Sequence, residues 1–201
     1  EIQAPAGWTV ATTWPQVSGN NTVFQPRIYE TKGSEDLING TVGLGSLTSY
    51  EKVVEGTLVR IFAYRNWPES HQRQIADNSF ALYEHISRTF EAPIHDSYTL
   101  FYTPPTAESL DIDILATSNG QGSVMWPATP SRWISVAEKM AYRWLRYLPH
   151  RMEFKKVEDM WFVDGAALYT ALHANKAIGT IKDIEPYLVD LNRNYNNHRL
   201  T

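Results

Sequence analysis

Six histidines, His71, His85, His95, His150, His173 and His198, are the side chains of this 201-residue chain best suited to hold a metal or to move a proton near neutral pH. No two stand four apart, so no helix presents a histidine pair on one face as a zinc-binding helix must. A site assembled from distant parts of the chain stays open. Carboxylates supply the other candidates. Asp111 and Asp113 stand at i, i+2 on an alternating segment and would share one sheet face, and Glu158 and Asp159 precede Trp161. Neighbouring carboxylates raise one another's pKa, which acid/base catalysis uses, but the same pattern also describes a solvated strand face. Other chemistries lack their parts. There is no Gly-x-Ser-x-Gly turn for a serine nucleophile and no Gly-Lys-Ser/Thr phosphate loop. Gly43-Leu44-Gly45 lacks the remaining spacing of a dinucleotide loop, so the residues imply no cofactor. The absence of cysteine removes disulfides, thiolate metal sites and cysteine nucleophiles together.

Composition narrows the partners. The 22 acidic and 18 basic side chains give a net charge of −4, with no run of Lys or Arg, which argues against nucleic acid or an anionic membrane as the main partner. A hydrophobic share of 43% with 20% charged residues is enough to build a core and too apolar for a disordered chain. No stretch approaches the roughly 20 apolar residues of a membrane span, so no transmembrane segment is expected. The chain starts at Glu1 with no basic and apolar leader and reads as an excised or processed segment. Two Asn-x-Thr triplets, at Asn20 and Asn39, would suit an exported chain, although such triplets are common by chance.

The elements that must position these residues change character along the chain. Residues 8–14, 42–47 and 57–64 are rich in β-branched and aromatic side chains and are separated by turn residues such as Ser18-Gly19-Asn20-Asn21, which predicts strands. Ile75, Phe80, Leu82, Tyr83, Ile86 and Phe90 then fall on one side of a 3.6-residue period, predicting a helix over 68–91 that Pro93 stops. Strands are predicted at 97–102 and 110–115, followed by a loop at 118–123 and the apolar Val124-Met125-Trp126. Helices are predicted over 130–148, through Val136, Met140, Trp144 and Leu148, then over 157–175 and over 183–194. Strands first and helices later make an α+β chain with no internal repeat. The change of pattern places a boundary near residue 66, with a β-rich domain over 1–66 and an α+β domain over 67–201.

Within the third predicted helix, Met160-Trp161-Phe162-Val163-Asp164-Gly165-Ala166-Ala167-Leu168-Tyr169 resembles the LW-x-x-EG-F-x-x-Y segment of gluzincin metallopeptidases, the aminopeptidase N and glycyl aminopeptidase families, whose glutamate there is the third zinc ligand. Upstream, Ser135-Val136-Ala137-Glu138-Lys139-Met140-Ala141-Tyr142-Arg143-Trp144 stands where those families carry a helix with His-Glu-x-x-His followed shortly by Trp. Ala4-Pro5-Ala6-Gly7-Trp8, the run from Leu37 to Gly45, and Val54-Glu55-Gly56 look like the glycyl aminopeptidase lead-in domain. The resemblance spans most of the chain. It implies a thermolysin-like mixed sheet with long helices, of which the helical C-terminal half is missing or barely begun after Asp183.

The departures decide what the resemblance implies about activity. With Glu138 kept as the general base, the ligand histidines are replaced by Ala137 and Ala141, and the third ligand becomes the shorter Asp164. Counting back eighteen intervening residues from Asp164 instead puts Ala141 and Leu145 at the histidines and Tyr142 at the base. Both registers lose both imidazoles, and an alanine has no lone pair to give zinc. The expected metal is therefore none. Glu138 and Asp164 remain as vestigial catalytic positions. Each also has a structural use, Glu138 as a helix-paired carboxylate and Asp164 as a partner of Tyr142 or Arg143 across two helices. Trp144, Trp161 and Tyr169 read as core aromatics. Gly120, Gly122, Val124 and Met125 stand where gluzincins have the strand edge that pairs with substrate, and with Tyr169 they are the expected peptide-binding residues.

The expectation is an inactive peptidase-like module that binds a peptide or protein or serves as a scaffold, in a secreted, periplasmic or cell-surface setting. The alternative is a hydrolase that works through Glu138, Asp164, Asp111 and Asp113 with Tyr142 or Tyr169 assisting, or through a relocated metal site.

Overall fold

A computed structural model describes residues 4–12, 16–18, 28–29, 42–91, 97–102, 115–116, 122–125, 130–147 and 160–190. The chain is α+β, with a β-rich N-terminal region followed by a mixed sheet and long helices. Two small ribbons come first. β1 (Thr9–Thr12) pairs antiparallel with β4 (Val42–Gly45), and β2 (Gln16–Ser18) pairs antiparallel with β3 (Ile28–Tyr29).

The main sheet has five strands. β5 (Leu47–Val54) and β6 (Thr57–Tyr64) form an antiparallel hairpin, in register from Leu47 opposite Tyr64 to Val54 opposite Thr57. Its turn, Glu55-Gly56, holds both residues at positive φ, 47° and 83°, the backbone that two-residue hairpin turns require and that glycine adopts without strain. β7 (Ser97–Tyr102) runs parallel to β6, and β9 (Gly122–Met125) runs parallel to β7. β8 (Leu115–Ala116) closes the sheet antiparallel to β9, giving the order β5-β6-β7-β9-β8. β5 and β6 precede residue 66 and β7 to β9 follow it, so backbone pairing of one sheet runs through that position.

Parallel strands need a crossover, and α1 (Glu69–Thr89) supplies the one between β6 and β7. Its buried residues Ile75, Ala76, Phe80, Leu82, Tyr83 and Ile86 follow the period read from the sequence and join Val59, Ile61, Tyr98, Leu100 and Tyr102 from the sheet in one core. The C-terminal end of α1 is tied back to the hairpin turn: Arg88 Nε donates to a carboxylate oxygen of Glu55 at 2.8 Å, while its Nη2 lies 2.6 Å from Glu84. Alternation along β6 and β7 sends Phe62 and Phe101 to the other face of the sheet. There they stack at 5.4 Å between ring centres and bury with Ala11 and Leu47. The β1–β4 ribbon lies close over that face. A Cβ on Gly43 would stand 3.0 Å from the Phe101 ring, so a larger residue there would make the ring shift by a few tenths of an ångström.

Two further helices complete the layer on the α1 side, α2 (Pro130–Tyr147) and α3 (Met160–Ala177), and residues 185–190 are helical after them. Observed ends differ from the expected ones by a few residues. One predicted strand, 42–47, divides at Ser46 into β4 and β5, which belong to different sheets. Of the strand expected at 110–115 only Leu115 lies in β8, and 110–114 fall outside the described residues.

A buried amide fixes the end of α3. The Asn175 side-chain nitrogen donates to the Trp133 carbonyl of α2 at 3.0 Å and to the Ala171 carbonyl at 2.8 Å, and Asn175 Oδ1 accepts from the Thr180 hydroxyl. Asn175 is fully buried. Asn175→Ala leaves the Trp133 carbonyl without this donor inside the core. It should lower unfolding free energy by about 1–3 kcal/mol, read from a reduced urea midpoint with an unchanged slope.

Candidate functional site

The sequence-expected catalytic positions are carried by α2 and α3. α2 starts at Pro130, whose locked φ suits a first helical position. It buries Trp133, Ile134, Val136, Ala137, Met140, Ala141, Trp144 and Leu145, a wide apolar arc rather than a narrow stripe. α3 is apolar on most sides. It buries Val163, Ala167, Ala171, Leu172 and Ala174 and leaves Phe162 and Tyr169 exposed. Among the described residues no pair of helices is in more extensive contact than α2 and α3.

Glu138 on α2 and Asp164 on α3 are near enough for their charges to interact. Glu138 is half-buried and Asp164 exposed. Burial pushes the Glu138 carboxyl above its ordinary pKa; the adjacent Lys139 ammonium opposes that, and the Asp164 carboxylate adds to it as a like charge. Arg143 is buried; burial pushes the Tyr83 phenol up, opposed by a hydrogen bond with Thr57 and by the Arg143 charge. Tyr142 is half-buried against the core.

Tyr169 is displaced from the role of a core aromatic. It is 57% exposed, and its ring lies 4.4 Å from that of His173, one turn further along α3. Their i, i+4 spacing was the signal available in the sequence for this pair. Trp144 does sit in the core, 3% exposed, against Tyr83 and Phe90. α3 includes Trp161, whose side chain falls outside the described residues.

Gly122, Val124 and Met125 lie in β9, which is hydrogen-bonded on both sides, to β7 and to β8. On the β8 side the pairing reaches Ser123 and Val124, while Gly122 and Met125 are paired to β7. Gly120, Asp111, Asp113, Glu158, Asp159, His95, His150 and His198 fall outside the described residues.

The donor set does not fit the zinc that the gluzincin resemblance implies. In either register the ligand positions are carbon-only side chains turned into the core: Ala137 and Ala141 at 0% exposure, or Ala141 and Leu145. Two carboxylates remain nearby. No group of three His, Asp or Glu among the described residues is placed to hold a metal ion. Nor, among these residues, is any helix long and apolar enough to cross a membrane.

No family model matches the chain, and no curated protein matches it. A crystal structure of an aminopeptidase N family protein from Idiomarina loihiensis is similar, with a TM-score of 0.59 and 17% sequence identity over 88% of this chain. The likeness establishes a shared fold. The chain spans 32% of that protein's length.

The Glu138 environment sets the sign of one pH effect. A carboxyl whose folded pKa is raised contributes stability that is fully present below its unfolded pKa and is lost as pH rises through the folded value. Glu138→Gln stays neutral and escapes that loss. Its melting temperature should exceed the wild type's above the ordinary carboxylate range, and the gap should close in acid. Asp164→Asn should narrow the same gap at neutral pH. Parallel melting curves for Glu138→Gln and wild type across pH 3 to 8, a range spanning the usual Glu value of about 4.3, would show that the Glu138 carboxyl is not raised on folding.

Proposed function

We propose that this chain is a catalytically inactive, peptidase-like domain that serves as a peptide- or protein-binding or structural module. The observation that carries the reading is the burial of Ala137 and Ala141 in the core, at the positions where the gluzincin resemblance calls for zinc-binding imidazoles. Zinc in such enzymes lowers the pKa of its bound water to about 7 and polarises the scissile carbonyl. Without it, Glu138 has no metal-bound water to deprotonate. The distant similarity to an aminopeptidase N family protein supports a common scaffold for this reading. A secreted, periplasmic or cell-surface setting is part of the proposal and comes from the resemblance alone.

One observation favours a second reading, in which the chain is a hydrolase that acts through carboxylates. The raised pKa of Glu138 beside Asp164 is the kind of perturbation that general acids and bases show.

The two readings separate in a peptide hydrolysis screen. On aminoacyl and peptide substrates, with and without added zinc, the chain should give no cleavage above the buffer rate. Cleavage abolished by Glu138→Gln or Asp164→Asn would overturn the proposal in favour of the hydrolase.

Restoring a ligand should also fail for a packing reason. Ala141→His forces an imidazole into a fully buried alanine position and should destabilise the fold by about 1–3 kcal/mol or more. The loss should appear in chemical denaturation and should not be recovered by adding zinc.

A further inference from the structure

We draw no further inference here: the strongest candidate, the outward face of α3 where Phe162 and Tyr169 are exposed and the Tyr169 ring lies against His173, carries none because nothing in the structure shows what covers it.

Discussion

The close packing of α2 on α3 is the constraint on which the rest of this region depends. Fully buried Ala137 and Ala141 on α2 and Ala167, Ala171 and Ala174 on α3 belong to one core with the sheet and α1. Small side chains at such positions let helix backbones approach, and larger neighbours such as Trp133, Met140, Trp144 and Leu172 fill the space around them. Asn175 ties the two helices together at one end through the Trp133 carbonyl. A core packed to native density tolerates an added side chain poorly, so these alanine positions have little room for a larger residue.

The same seam explains the behaviour of the surviving carboxylates. Glu138 is held where burial penalises its charge and Asp164 repels it, with only Lys139 on the favourable side. In a zinc enzyme the cation would offset such crowding of negative charge. Here the cost is limited because Asp164 stays in water and Glu138 keeps partial access to it.

Much of the architecture was legible in the sequence because it rests on local period. The apolar spacing from Ile75 to Ile86 marks α1, and β7 matches the predicted strand at 97–102 residue for residue. Non-local pairing was not legible. Nothing in 42–47 says that Ser46 separates two strands of different sheets, since the division depends on β1 pairing with one half and β6 with the other. The place of β9 between β7 and the two-residue β8 likewise follows from where those strands lie, not from its own residues. Among candidate site residues, the placement of Glu138 on α2 and Asp164 on α3 agrees with the helices predicted over 130–148 and 157–175. The exposure of Tyr169 did not, because aromatic bulk predicts burial and α3 is apolar on most sides, so its own pattern does not tell which aromatic faces outward.

An inactive domain of the kind proposed holds its fold without zinc, and thermal unfolding of the chelator-treated chain across a zinc titration is the decisive measurement. A ligand that binds only the folded state at a hundred times its Kd stabilises by about 2.7 kcal/mol, a shift readily seen in a chain of this size. The melting temperature should be independent of zinc, with no zinc retained at one per chain after dialysis. A stoichiometric metal with a rising melting temperature would contradict the proposal.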